Sequence, residues 1–252
     1  VKSLTKYAKM VTEPKEIKYH LDRAIYEATT GRKGPVWLDI PMNVQGAVVE
    51  EKDLIDFDIS CKTTTAVSDS YIKTIKNKIE TAKRPVIILG HGIRLSGMRE
   101  VFKDLIKKLD IPVVTTFNGF DILPSTHPNI IGRIGTIGQR AANFTLQNAD
   151  FVLCLGTRNN IRQVSYNWEN FAKNAFKAVI DIDKSELEKP LVKYDLKVNA
   201  DLADFLPVLE KSCNNVKKPE WLDFCQKLKE KYSFRNTPEY AQEITVRTPL
   251  AH

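Results

Sequence analysis

The segment from Arg84 to Asp183 places the tightest limits on the fold. Four apolar runs, Pro85 to Leu89, Ile111 to Thr115, Phe151 to Leu155 and Ala178 to Ile182, recur there with helix-length stretches between them. Neighbouring parallel strands need a crossover of about a dozen residues or more, usually a helix. The rhythm therefore predicts an α/β domain built on an open parallel sheet with helices on both faces. The first run ends in Gly90-His91-Gly92 shortly before a helix, which is where such a sheet receives its ligands.

The flanks extend this pattern. Upstream, Ile17, Leu21, Ile25 and Ala28 recur at helical spacing between Glu13 and Thr30, predicting an amphipathic helix with these four on its apolar face. Pro35 to Pro41 then reads as a short strand bounded by prolines. From Met42 to Ser70 the chain turns polar and acidic without a period, and residues 46–67 are expected to link two units. Helices are expected over Ser68 to Ala82, Gly97 to Leu109, Gln139 to Asn148, Asp201 to Cys213 and Glu220 to Tyr232, with a short strand at Val198 to Ala200. Beyond Phe234 no apolar period continues, so that end reads as a docking segment or linker.

Composition narrows the class. A chain of 252 residues, 42% hydrophobic and 27% charged, is that of an ordinary globular protein. No run of about 18 apolar residues suits a bilayer, and the start carries no secretory pattern. It also lacks an initiator methionine, as expected of a piece of a longer chain. Cys61, Cys154, Cys213 and Cys225 show no C-x-x-C spacing and read as reduced thiols of a cytoplasmic protein. The net charge of +7 comes from dispersed lysines, so no nucleic-acid partner is expected. The four histidines include no pair at metal-ligand spacing.

Four clusters, expected to gather at one edge of the sheet, carry candidate chemistry. Gly90 and Gly92 would let backbone N–H groups approach a phosphate ahead of a helix N-terminus, or would serve a tight turn needing positive φ. Gly132, Gly135 and Gly138, spaced by three, could lie flat against an extended ligand or form compact turns. Arg158 and Arg162 present planar donor forks suited to phosphate oxygens, with solvated loop arginines as the alternative. Asp181 and Asp183 could accept bonds from ribose hydroxyls, or cap the helix begun by Ser185 and Glu186.

Gly31-Arg-Lys-Gly-Pro-Val36 followed by Leu38-Asp-Ile-Pro41, with Arg84 to Gly90, Pro112 to Thr116, Asn148 to Arg158 and Ile180 to Asp183, resembles the thiamine-diphosphate enzyme family that contains acetolactate synthase. The resemblance covers about Val1 to Leu209. It implies that residues 1–45 end a pyrimidine-binding domain, 68–213 form the central domain, and 214–252 are a helical connector toward a missing diphosphate-binding domain. The implied central fold is shared with NAD-binding domains of deacylases and deoxyhypusine synthase. In synthases of the family this domain holds FAD as a structural ligand, with implied contacts at Gly90, Gly92, Thr116, Gly132, Gly135, Arg158, Asp181 and Asp183. Other relatives bind ADP or no nucleotide there.

Three departures mark the chain: His91 between the glycines, Ile137 where the synthases tend to have histidine, and Asn159-Asn160 where they favour acidic residues. The resemblance further implies thiamine diphosphate and Mg²⁺ in the full-length enzyme, 2-oxo-acid substrates and a homo-oligomer of at least two chains. The Gly-Asp-Gly segment that holds Mg²⁺ and the diphosphate in this family does not occur here. No catalytic residue is therefore assigned, and the expected role is the central part of a 2-oxo-acid carboligase or decarboxylase, inactive alone. The alternatives are a relative with a non-pyruvate substrate, an NAD-using enzyme and a nucleotide-free structural module.

Overall fold

The computed structural model describes residues 1–58 and 67–233, so Cys61, part of the predicted linker and the tail beyond Phe234 lie outside the described residues. It divides into two compact units, residues 1–64 and 65–252.

The first unit is a β-α-β crossover. Strands β1 (Tyr7–Met10) and β2 (Val36–Asp39) pair in parallel, Tyr7 opposite Val36 and Met10 opposite Asp39. The helix Ile17–Thr29 connects them after a 3-10 turn at Pro14–Glu16. Its buried stripe is His20 and Ala24, whereas Leu21 and Ile25 of the predicted apolar face are exposed. The stripe lies one residue, or ~100°, around from the expected one. His20 can be buried because both ring nitrogens have partners: Nδ1 lies 2.5 Å from the Tyr7 hydroxyl and Nε2 3.1 Å from Glu16 Oε2. Since the Glu16 carboxylate only accepts, His20 Nε2 carries a hydrogen toward it.

The second unit contains the predicted open parallel sheet. Its strands are β3 (Pro85–Leu89), β4 (Val113–Thr115), β5 (Ile130–Arg133), β6 (Phe151–Leu155), β7 (Phe176–Asp181) and β8 (Leu196–Asn199). All five pairings are parallel, in spatial order β5-β4-β3-β6-β7-β8. The chain starts at the centre, winds outward through β4 and β5, returns to β6 and winds outward again. The reversal between β3 and β6 is the topological switch point, where sheets of this order bind ligands.

Strand alternation divides the core into two layers. Ile87 and Leu89 of β3, with Phe151, Leu153 and Leu155 of β6, face the helices Asp69–Thr81, Arg99–Leu109 and Leu202–Ser212. Val86, Ile88, Val152 and Cys154 face the helices Arg140–Gln147 and Pro219–Lys231. Helices on both faces explain why every residue of β3 and β6 is buried. Asp69–Thr81 contributes Ile72, Ile75 and Ile79, three apolar side chains at helical spacing, each worth ~1.5–3 kcal/mol of burial. On the other face, Trp221 donates its Nε1–H to the Pro85 carbonyl at 3.1 Å. Lys229 Nζ holds the carbonyls of Ser125 and Ile130 at 2.8 and 2.7 Å. Among the described residues no helix is long and apolar enough to cross a membrane.

Candidate functional site

Because the strands are parallel, their carboxyl ends share one edge, and the structure brings all eight candidate residues there. Gly90 and Gly92 follow β3, Thr116 follows β4, Gly132 and Gly135 lie at the end of β5, Arg158 follows β6, and Asp181 and Asp183 end and follow β7.

At the switch point two turns pack backbone on backbone. Gly90 N–H donates to Leu155 O at 2.9 Å, and Gly92 N–H to Gly156 O at 3.0 Å. A Cβ on Gly90 would overlap the Gly156 carbonyl oxygen and come within 2.8 Å of Leu155 O; one on Gly92 would sit 2.7 Å from Gly156 Cα. Close approach therefore demands glycine at 90 and 92, and positive φ does not. The residue with the left-handed backbone is Gly156, at φ 58°. The neighbouring turn is tied in by Thr116 N–H to Leu89 O at 3.0 Å and by His91 Nδ1 to Asn118 O at 2.9 Å. A carbonyl only accepts, so Nδ1 of His91 carries the hydrogen.

The glycine loop after β5 is braced by its own neighbours. Gly132 and Gly135 have φ of 150° and 115°, and a Cβ on Gly132 would overlap Gln139 Oε1, the atom that accepts Arg133 N–H at 2.9 Å. Asn143 accepts from Gly135 N–H at 3.0 Å and donates to Gly135 O at 3.1 Å. Thr136 N–H reaches Arg162 O at 2.9 Å, which joins this loop to the one after β6. Ile137 stands exposed at the tip, as do Phe117 and Phe120 nearby, each with its ring centroid 5.9 Å from the Arg133 guanidinium.

The two acids have turn-forming roles. Asp181 Oδ1 accepts Asp183 N–H at 2.9 Å, and Asp183 caps the short helix Lys184–Leu187 by accepting Ser185 N–H at 2.9 Å. That helix carries Glu186, whose Oε1 accepts from Arg158 Nε at 3.1 Å. The Arg158 side chain is 60% exposed, while that of Glu186 is 7% exposed. The candidate arginines Arg158 and Arg162 are both exposed, and Arg158 is the one held by the nearly buried Glu186 carboxylate.

One feature beneath the loop after β6 escaped the sequence reading. Asn159, buried and at φ 42°, donates to the Tyr194 hydroxyl at 2.6 Å. It accepts from Gln163 Nε2 at 2.8 Å, and Thr157 joins through its hydroxyl at 3.0 Å from the same nitrogen. Burial pushes the Tyr194 hydroxyl far up and the adjacent Cys154 thiol up to about 12, so both stay protonated. The Asn159-Asn160 pair thus has a structural reason. Asn159 tolerates the left-handed backbone, and Asn160 caps the helix Ile161–Val164 by accepting Arg162 N–H at 3.1 Å.

Comparison with known proteins places this geometry in context. Residues 72–209 match the family model for thiamine pyrophosphate enzyme, central domain. The chain is 37% identical over 243 residues to the acetolactate synthase large subunit of Lactococcus lactis subsp. lactis (strain IL1403), covering 94% of this chain and 41% of that protein. It is 34% identical over 210 residues to the acetolactate synthase isozyme 1 large subunit of Escherichia coli (strain K12), covering 82% and 37%. It is also 33% identical over 207 residues to a probable acetolactate synthase large subunit of Methanocaldococcus jannaschii, covering 81% and 35%. The chain therefore spans about two fifths of the length of these curated relatives.

Proposed function

The chain belongs to the thiamine pyrophosphate enzyme family, whose central domain it contains, and from that premise we propose that it is the central portion of an acetolactate-synthase-like 2-oxo-acid carboligase or decarboxylase that holds a nucleotide at its switch-point edge. The observation that carries the nucleotide reading is the solvent-facing Arg158 guanidinium, held at the carboxyl edge by a buried carboxylate. An arginine fork there suits diphosphate oxygens, beside a glycine loop that keeps side chains out of the way. The surrounding residues fit such a ligand. Gly90, Gly92, Thr116, Gly132, Gly135, Asp181 and Asp183 lie at the same carboxyl edge and are the further contacts proposed for it. FAD is the proposed occupant, acting as a structural ligand with no net redox role.

Thiamine diphosphate supplies the carbanion-stabilising chemistry of this family when bound. The residues present here do not fit that group, since the sequence contains no Gly-Asp-Gly segment, and no reaction step falls to this chain's own side chains. We accordingly read residues 1–45 as the end of a pyrimidine-binding domain, 68–213 as the central domain, and the following helix as a connector that also packs on the sheet. The whole enzyme, cytoplasmic and at least dimeric, would bind Mg²⁺ with the diphosphate outside this chain.

One observation favours a second reading, a structural domain without nucleotide: the Gly90 and Gly92 N–H groups are engaged within the fold. The absorption spectrum and ligand mass of the purified chain, followed by titration with FAD and ADP, decide between the two. Bound flavin or saturable FAD binding supports the first, ADP binding alone points to a relative with another substrate, and binding of neither leaves the structural reading. Pyruvate turnover by the isolated chain would refute its assignment as an inactive portion.

A further inference from the structure

We propose that Glu186 is a positioning residue for the anion subsite at Arg158, holding the guanidinium by its Nε edge so that the terminal amino groups face a phosphate of the bound nucleotide; this rests on the nucleotide reading above. An exposed arginine has high rotamer freedom, and an anion that must first order it binds more weakly than one that meets it already ordered. Glu186 supplies that order. Its carboxylate is nearly buried and accepts the Nε–H of Arg158 at 3.1 Å, which leaves both terminal amino groups outside this bond.

The carboxylate is itself fixed by a relay of short contacts. Asp181 holds the N–H of Asp183 at 2.9 Å, Asp183 caps the helix Lys184–Leu187, and Glu186 projects from that helix to the neighbouring loop. The two acids at the end of β7 therefore act on the subsite through Glu186 and Arg158. Lys189 also pairs with Glu186, so the carboxylate does not cancel the attraction of Arg158 for an anion. The opposing expectation is that Glu186 repels a phosphate across Arg158, and the two ideas predict opposite signs.

Calorimetric titration of the full chain with ADP and with adenosine tests this, using Glu186→Ala, Glu186→Gln, Arg158→Ala and the double Arg158→Ala/Glu186→Ala variant. Glu186→Ala is expected to weaken ADP about ten-fold, or ~1.4 kcal/mol, and to leave adenosine unchanged. Glu186→Gln keeps an oxygen that accepts the Nε–H and should stay within about three-fold of wild type. Removing Glu186 from the Arg158→Ala background should add nothing. Equal weakening of ADP and adenosine in Glu186→Ala would mark a merely structural role, and tighter ADP binding in both Glu186 variants would mark simple repulsion; either overturns the proposal. If the unaltered chain binds neither ADP nor FAD, the nucleotide reading falls and takes this inference with it, an outcome visible before any variant is made.

Discussion

Replacing Trp221 with alanine should destabilise the second unit by about 4–6 kcal/mol, the sum of a large-to-small core change (~3–5) and a carbonyl left without its donor (~1–3), taken below strict additivity. Trp221 is 7% exposed, packs in the second core layer and stacks on Phe224 with ring centroids 5.6 Å apart. Its indole N–H is the donor to Pro85 O at the start of the central strand β3. Trp221→Phe keeps most of the apolar contact and loses only the N–H, so its cost should be about 1–3 kcal/mol. For a domain of this size each kcal/mol moves the melting temperature by ~2–4 °C, which puts the alanine variant about 10 °C or more below wild type. Thermal melts of the three proteins, followed by circular dichroism, read this directly. An alanine variant melting within about 2 °C of wild type would show that Pro219–Lys231 is a passive connector, and the reasoning from its packing would fail.

Gly90→Ala is expected to cost ~3 kcal/mol or more, the upper range for overpacking, because its Cβ would enter the Gly156 backbone. Gly97→Ala meets no atom within 4 Å and should cost only its left-handed strain, ~1–2 kcal/mol; denaturant melts showing equal losses would contradict this steric account. His127 is held below its ordinary value by burial and then by the Lys229 cation. The native state thus prefers the neutral ring: the contribution is present above ~6.5 and is lost as pH falls from there through the lower folded value. The acid slope of melting temperature in that window should flatten in His127→Gln, and an unchanged slope would show that His127 is not its source. Burial raises the thiols of Cys154 and Cys225 to about 12 and that of Cys213 to about 11. Peptide mapping after iodoacetamide treatment at pH 8 should find all three unmodified in the native chain and modified in guanidinium; rapid native labelling of any one would contradict its burial.

The open parallel sheet was legible because its central strands are short apolar runs separated by helix-length segments, and burial on both faces leaves little room for polar residues. Strand β5 was not predicted, since Ile130-Ile131-Gly132-Arg133 contains a glycine and follows a proline-bearing loop. The first helix shows a different limit. Its apolar stripe is plain, yet the strands bury the adjacent stripe, because Tyr7 and Glu16 satisfy the His20 ring. Hydrophobic periodicity has no means of registering a polar side chain whose partners lie on another element.

By itself, the sequence determined the α/β class, the family resemblance and the gathering of Gly90, Arg158 and Asp181 at one sheet edge, since parallel strands must end on the same side; the strand that brings Gly132 there was visible only in the structure. Only the tertiary structure decided what each residue does there. Gly90 and Gly92 accommodate the backbone of Gly156, Asp183 caps a helix, Asn159 anchors a buried polar cluster, and Glu186 holds Arg158. The physical reason is range: strand and helix signals arise from neighbours along the chain, whereas Gly90 meets Gly156 and Arg158 meets Glu186 only after separate crossovers have brought distant segments into contact.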